Sequence, residues 1–123
     1  MAFKSSSPMN LGKRGEDKAA AFLKKKRYRI IQRGFRYAGG EIDIIAFQRG
    51  SLVFIEVKTR RNTEFGRPEE QVSIKKQKQI KKIAAGFLRQ NEFPGLSCRF
   101  DVISLVPRDE KNWKIHHFRN AFE

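Results

Sequence analysis

The sequence predicts a single α/β domain with the element order αβββαβ(β), in which helices cover a central mixed sheet. Two segments repeat apolar residues at helical spacing, and several short segments rich in β-formers are separated by turn residues. The 123 residues, 39% of them hydrophobic, suffice for one core and are short for two. We therefore expect a flexible N-terminal tail over residues 1–9 and one domain over residues 10–123.

The elements follow one another without a repeat or a long low-complexity tract. Asn10 can cap a first helix that runs from about Leu11 to Arg27. A strand interrupted by Gly34 comes next, and a hairpin follows it. Pro68 suits the first turn of a second helix that extends to about Gln90. A strand over residues 98–106 and a weaker one over 113–118 complete the domain.

The hairpin contains charged residues among its apolar ones. Its strands, "EIDIIAF" and "SLVFIEV", flank Arg49 and Gly50, where glycine allows the positive φ of a turn. A two-residue turn places Asp43 directly opposite Glu56 and, further out, Glu41 opposite Lys58. A three-residue turn through Gln48 would shift this register and separate the faces.

Facing carboxylates in partly desolvated surroundings are unfavourable unless a cation compensates them. Oxygen ligands favour Mg²⁺ or Mn²⁺, and magnesium is typically held by one or two carboxylates together with water and substrate phosphate. The structural alternative is that Lys58 simply neutralises Glu41 or Glu56. Glu16 lies on the apolar side of the first helix and can reach the same site, or it can be a first-turn glutamate favoured by the helix dipole.

The composition indicates a polyanionic partner. The 27 Lys and Arg against 13 Asp and Glu give a formal net charge of +14, which favours nucleic acid. We expect no membrane partner, because no segment approaches the roughly 20 apolar residues of a spanning helix. The start lacks the apolar core of a secretory signal and Cys98 is the single cysteine, so a cytoplasmic location is expected.

The motifs "NLGKRGEDKAAAFL", "GEIDIIA", "FIEVKTR", "KKQKQIKKIAAGFL" and "RFDVI", in this order, resemble the YraN-type family of small bacterial proteins. That family is assigned to the restriction-endonuclease-like, or PD-(D/E)XK, superfamily and is similar to archaeal Holliday junction resolvases. The resemblance implies the core order αβββαβ. Two positions depart from it: Ile42 stands where the superfamily name has proline, and Gly34 stands where relatives are expected to carry asparagine.

The resemblance also implies roles for individual residues. Asp43 and Glu56 would bind Mg²⁺, with Mn²⁺ as a substitute, Lys58 would be the catalytic lysine, and Glu16 would be the acidic residue on the helix. Lys58 would orient the attacking water or support developing charge. The basic residues expected to track the nucleic-acid backbone from the rims of the site are Arg33, Arg36, Arg60, Arg61, Lys75, Lys76 and Lys78. Lys76 precedes Ile80 by four residues and should therefore point inward.

Two function classes follow. The first is a metal-dependent nuclease that hydrolyses DNA, either selective for branched or junction structures in repair or recombination or otherwise of low specificity. The second is a nucleic-acid-binding protein, for DNA or RNA, that keeps the nuclease fold with little or no turnover. Symmetric cutting of a junction would call for a homodimer.

Overall fold

Two helices and five strands form the part of the chain that the structure describes. The computed structural model describes the backbone of residues 8–60, 72–92, 96–109 and 111–123, with side chains from Leu11 onward. The elements are α1 (Pro8–Lys25), β1 (Arg29–Tyr37), β2 (Gly40–Gln48), β3 (Ser51–Thr59), α2 (Ile74–Asn91), β4 (Ser97–Pro107) and β5 (Trp113–Phe122). The order expected from the sequence is confirmed, and the weakly patterned last segment is a full strand.

The strands form one sheet in the order β1-β2-β3-β4-β5. Only the β3–β4 pair is parallel; the other three pairs are antiparallel. A parallel neighbour cannot be reached through a tight turn. The chain between β3 and β4 contains α2, so this helix lies on the crossover between the two parallel strands.

The β2–β3 turn has the two residues that the sequence predicts. Arg49 and Gly50 both have positive φ, 49° and 84°, as a type I′ hairpin turn requires. Gln48 pairs with Ser51, and the ladder continues in this register as far as Ile44 and Ile55. The three-residue alternative is therefore excluded.

Each face of the sheet has its own apolar core. Ala19, Ala20 and Leu23 of α1 pack on the face that carries Ile44 and Ile55. The opposite face carries Ile45, Leu52 and Phe54, which pack with Ile80, Ile83 and Phe87 of α2. Both faces are covered by helices, as predicted by the apolar residues that the hairpin carries on each of its two faces.

One residue departs from this alternation. The period of two places Ile42 with Ile44, yet Ile42 packs in the core beneath α2, beside Phe35. The β1–β2 pairing skips Gly34 and Asp43 at this point, and Gly34 has a φ of 66°. A left-handed residue inside a strand redirects the chain, and asparagine tolerates that conformation better than most other residues with a side chain. Glycine and the asparagine expected in relatives are therefore compatible with the same bend.

The helix ends differ from the sequence-based boundaries. The first helix begins at Pro8, two residues before its predicted cap Asn10, because proline suits a first turn. It ends two residues early, since Arg27 adopts a left-handed φ of 68°. The second helix begins at Ile74, where the Ser73 hydroxyl accepts a 3.1 Å hydrogen bond from the backbone of Lys76. Pro68, its predicted start, lies outside the described residues.

Asp101 lies at the centre of a buried polar network. Its carboxylate accepts hydrogen bonds from Arg99 Nε and Asn120 N, both at 2.9 Å, and lies 2.8 Å from His117 Nε2. The pKa of Asp101 is lowered although burial opposes this, because the bonds from His117 and Arg99 favour the carboxylate. The register shift between β4 and β5 falls at Asp101, between the pairs Phe100–Phe122 and Val102–Phe118.

We predict opposite effects for two helical glycines. A Cβ at Gly86 would lie 2.5–2.6 Å from the ring of Tyr37, which Arg89 holds by a 2.6 Å hydrogen bond, so Gly86→Ala should destabilise the protein by about 1–3 kcal/mol. The matched change Gly12→Ala meets no atom within 4 Å and should be neutral or stabilising, by up to about 1 kcal/mol. Chemical denaturation of both variants tests this, and equal effects would contradict the close packing of α2 on β1.

Candidate catalytic and metal-binding site

The candidate site lies where β2 and β3 separate. Their ladder ends at Ile44 and Ile55, and Asp43 and Glu56 are the next residues on the two strands. Beyond this point the backbone N–H of Val57 donates a 2.8 Å hydrogen bond to Oδ2 of Asp43. A carboxylate thus replaces the backbone acceptor that a continuing strand would supply.

Two lysines approach Glu56 from different elements. Its Oε2 lies 3.6 Å from Lys58 Nζ on β3 and 3.9 Å from Lys76 Nζ on α2. The Glu56 side chain is 8% exposed, whereas those of Lys58 and Lys76 are 32% and 34% exposed. The inward orientation predicted for Lys76 is confirmed, and each ammonium group remains partly open to solvent.

The two carboxylates carry negative charge that the described residues do not fully offset. Burial, together with the charge of Glu56, raises the pKa of Asp43 to about 7. Burial also raises the pKa of Glu56, although Lys76 and Lys58 both act against it. A perturbed carboxylate pair beside lysines is typical of functional sites, and also occurs in structural networks.

Glu16 approaches this site from α1. Burial and the charge of Asp43 raise its pKa, while Arg33, whose Nη2 lies 3.9 Å from Glu16 Oε1, acts in the opposite direction. The preceding residue lets the helix come close, because a Cβ at Gly15 would collide with Oγ1 of Thr59. Glu16 therefore interacts electrostatically with the paired carboxylates.

The donor set fits a hard divalent cation held by two ligands. Asp43 and Glu56 supply oxygen atoms, and one or two carboxylates are the usual protein contribution to a magnesium site. The raised pKa of Asp43 means that a cation bound there would displace a proton, whereas at Glu56 it would compete with Lys58 and Lys76. Within the described ranges, no three His, Cys, Asp or Glu side chains lie close enough together to form a metal cluster. Glu16 thus lies near the pair without completing a three-carboxylate set.

The basic residues assigned to nucleic acid occupy different environments. Arg33 Nη2 lies 2.7 Å from Asp17, and Arg36 Nη2 lies 3.4 Å from Glu41, so acidic side chains already engage both groups. Lys75 and Lys78 are exposed on α2. The backbone of Arg60 bonds to Leu105 O, which continues the β3–β4 pairing, and Arg61 lies outside the described residues.

Three features of the site are not predicted from the sequence. The bond from Val57 N to Asp43 joins backbone to side chain, and no residue pattern predicts it. Glu41, expected opposite Lys58, instead pairs with Arg36 on β1. For the contact between Gly15 and Thr59 the sequence does contain a signal, because a glycine directly before an inward glutamate permits the helix to come close to the sheet.

The element order and the mixed five-stranded sheet, with its parallel β3–β4 pair, define an α/β fold compatible with a restriction-endonuclease-like core. None of the described helices combines the length and apolarity needed to cross a bilayer.

The chain belongs to UPF0102, described as an uncharacterised protein family, whose model matches residues 15–105. UPF0102 is the YraN family, so the resemblance seen in the motifs is confirmed. A UPF0102 protein of Geobacter sulfurreducens is 48% identical over 113 residues, covering 92% of this chain and 88% of the relative. One of Chlorobium phaeobacteroides strain BS1 is 45% identical over 120 residues, covering 94% and 95%. One of Persephonella marina is 44% identical over 112 residues, covering 91% and 92%.

We predict that the protein without metal loses stability as the pH rises from about 4 to about 7. Because the pKa of Asp43 rises from 3.8 to about 7 on folding, the folded state binds more protons in this window, so deprotonation disfavours it. The change in unfolding free energy should be up to about 4 kcal/mol. Asp43→Asn should remove much of this slope and be more stable than the parent at pH 8.

Chemical denaturation at pH 5 and pH 8 in the presence of a chelator measures the effect. Glu92→Gln, which removes an exposed carboxylate after α2, is the charge-matched control and should retain the parent's slope. A slope in Asp43→Asn equal to that of the parent would show that Asp43 is not the titrating group.

Proposed function

We propose that this protein is a metal-dependent nuclease that hydrolyses phosphodiester bonds of DNA, with selectivity for branched or junction structures in repair or recombination. The observation that carries the proposal is the carboxylate pair at the strand fork, buried Glu56 and half-buried Asp43, with a raised pKa on both carboxyls and two lysines beside Glu56. A fold alone does not define an activity. The proposal therefore rests on the chemistry of these four side chains.

Asp43 and Glu56 would hold Mg²⁺, for which Mn²⁺ is a substitute. When bound, such a cation polarises the scissile phosphate and offsets developing negative charge. Without it, Lys58 and Lys76 both lie near the same oxygen of Glu56. Once Glu56 serves as a ligand, the ammonium groups can turn toward substrate, because each side chain is already about one-third exposed.

Lys58 would act on the attacking water, and Lys76 would contact the phosphate. Lys58 follows Glu56 by two residues on β3, so both side chains project from the same side of the strand. Lys76 comes from the first turn of α2 and reaches the same carboxylate from across the fold. An ammonium group supplies no ligand to a metal, so its contribution is to orient water or to stabilise charge.

Nucleic acid is the substrate class that the charge favours. The net charge of +14 is distributed over several elements, with Lys75 and Lys78 on α2 and Arg60 directly after β3, the two elements that flank the site. Such contacts recognise phosphate rather than base sequence. We therefore propose low sequence specificity, DNA in preference to RNA, and a homodimer where two strands are cut symmetrically.

A nucleic-acid-binding protein with little turnover is the second candidate. The observation that favours it is that Glu56 has two cationic partners in the protein itself, Lys58 and Lys76. A site stabilised by its own ion pairs would have less need of a metal. In that case the basic surface would bind DNA or RNA while the carboxylates served the fold.

We predict that Asp43, Glu56 and Lys58 act as one catalytic unit. Cleavage should require Mg²⁺ or Mn²⁺ and should be found among junctions, flaps, single strands and RNA offered as a panel. Asp43→Ala and Glu56→Ala should lose metal binding and cleavage, whereas Lys58→Ala should keep metal binding and lose cleavage, typically by about 10²-fold or more. Lys81→Ala, an exposed lysine on α2, is the matched control and should cleave like the parent.

Thermal melts of the same variants distinguish the two candidates. For a metal site, both Asp43→Ala and Glu56→Ala relieve like-charge repulsion, so stability without metal should hold or rise slightly, although in Asp43→Ala the lost bond from Val57 N offsets part of this gain. For an ion-pair network, Lys58→Ala leaves a buried carboxylate with one partner fewer and should cost on the order of 3 kcal/mol. Destabilisation of all three, with no metal-dependent shift in the parent, would leave the nuclease proposal without support.

We also predict that DNA binding weakens steeply with salt and depends little on sequence. Phosphate contacts release counterions, so the affinity should fall by about 10³-fold or more between 50 and 200 mM salt if about six contacts form. Fluorescence anisotropy on duplexes of unrelated sequence measures both properties. An affinity that does not change over this range would contradict the electrostatic basis of binding.

A further inference from the structure

A groove between α1 and the start of β5 lies outside the carboxylate site. We call it the α1–β5 groove, and it has a volume of about 260 Å³. It is lined by Lys18, Ala21, Phe22, Lys25, Lys111, Trp113 and Ile115. Three lysines and two aromatic rings thus border one narrow surface.

The sequence builds this groove through helical spacing. Arg14, Lys18 and Lys25 are separated by four and seven residues, which places them along one stripe of α1. Ala19 and Leu23, which face the sheet, lie on the other side of the helix. The guanidinium of Arg14 lies over the ring of Trp113, 5.6 Å from its centroid, and so extends the cationic stripe to the strand.

The lysine charges of the groove are not neutralised by acidic side chains of the described residues. Among the described residues, Lys18, Lys25 and Lys111 form no ion pair with an acidic side chain. The apolar floor is held in place, since the Phe22 ring meets His117 edge-on at 5.9 Å. Fixed aromatic groups beside several cations are the combination that nucleic-acid strands use for stacking and phosphate contact.

Trp113 supplies a second, independent observation. Its Nε1 is a buried donor that has no acceptor among the described residues. Leaving a buried donor without a partner costs about 1–3 kcal/mol. The residue as a whole is half-buried, so an oxygen atom of a phosphate or a base would reach this donor only after a shift of the indole ring.

The groove lies toward the same end of the sheet as the candidate site. Thr59, at the end of the strand that carries Glu56, pairs with Leu105, which in turn pairs with Ile115 in the groove. The first part of α1 passes over this end of the sheet, where Gly15 lies against Thr59. A strand leaving the carboxylates across α1 would therefore meet the groove.

We propose that the α1–β5 groove binds an unpaired nucleic-acid strand, with phosphates on Lys18, Lys25 and Lys111 and bases against the floor formed by Phe22 and Trp113. The inference rests on the proposed function for its ligand class, and it deepens that function by assigning a place to a single-stranded arm of the substrate. An unpaired strand is favoured over a duplex because its bases are free to contact aromatic side chains.

Two double variants with the same charge change test the proposal. Lys25→Glu with Lys111→Glu alters the groove, whereas Lys24→Glu with Lys114→Glu alters exposed lysines that do not line it. Lys24 and Lys25 both lie in the last turn of α1, so the loss of favourable helix-dipole interactions is matched. Thermal melts of both variants check that the fold is retained.

Binding is measured by anisotropy in a chelator, with an oligothymidine, a duplex carrying a single-stranded tail and a blunt duplex. The groove variant should lose at least about tenfold affinity for the first two probes, and its salt slope should fall by about 1.4, as for two lost single-strand contacts. Its affinity for the blunt duplex should match that of the control variant. Equal losses in both variants on all probes would overturn the proposal.

The emission of the parent protein provides a readout that needs no variant. Trp113 is the single tryptophan of the chain, so its fluorescence reports on the groove alone. The oligothymidine should quench or shift this emission with the midpoint seen by anisotropy, and the blunt duplex should leave it unchanged. Oligothymidine binding without any change in emission would overturn the proposal.

The outcomes separate this inference from the proposed function. If the parent binds none of the nucleic-acid probes, the proposed function fails and the groove assignment fails with it. If the parent binds and the groove variant behaves like its control, only the groove assignment fails. Polyglutamate and anionic phosphatidylserine vesicles serve as competing polyanions, and an equal change in Trp113 emission with either of them would show a general anion surface instead of a strand site.

Discussion

The hydrogen bond from Val57 N to Asp43 Oδ2 is the interaction on which the arrangement of the candidate site depends. The β2–β3 ladder ends at Ile44 and Ile55, whereas β3 stays paired with β4 as far as Thr59. The end of β3 that carries Glu56 and Lys58 therefore has a strand neighbour on one side and an open fork on the other. Asp43 supplies the missing acceptor within the fork, which brings its carboxylate beside that of Glu56.

Two aspartates of this protein show how the environment decides between structural and chemical roles. Asp101 is fully buried and accepts hydrogen bonds from Arg99 and Asn120, with His117 beside it, and these bonds keep its pKa low. Asp43 accepts one backbone bond, lies near a second carboxylate, and has its pKa raised to about 7. The first carboxylate is satisfied by the protein, so it stabilises the packing of β4 against β5. The second keeps an unsatisfied charge, which is the condition under which a cation or a proton binds.

Much of the fold could be predicted from local sequence, because the signals act over short distances. Gly50 and the apolar alternation define the hairpin, and its register places Asp43 beside Glu56. The described second helix begins at Ile74 under the Ser73 cap, which the sequence also offers as a signal, whereas the predicted start at Pro68 lies outside the described residues. Ile42 lies in the core beneath α2 and not in the core that contains Ile44, because Gly34 bends β1. A strict alternation of faces along the strand does not predict this position. The approach of Lys76 to Glu56 joins residues twenty positions apart on different elements, so helical spacing could give the direction of the lysine but not its partner.

The first helix connects the candidate site with the proposed groove. Its inward side carries Glu16, whose pKa responds to Asp43, and its outer stripe carries Lys18 and Lys25. Gly15 leaves no room for a side chain against Thr59, so α1 cannot move toward β3 without a clash. Ala19 and Leu23 are fully buried against the sheet, which opposes movement in the other direction. The separation of the carboxylates from the cationic stripe is therefore fixed by packing, and a strand that spans both would have its path set by the width of one helix, about 10 Å.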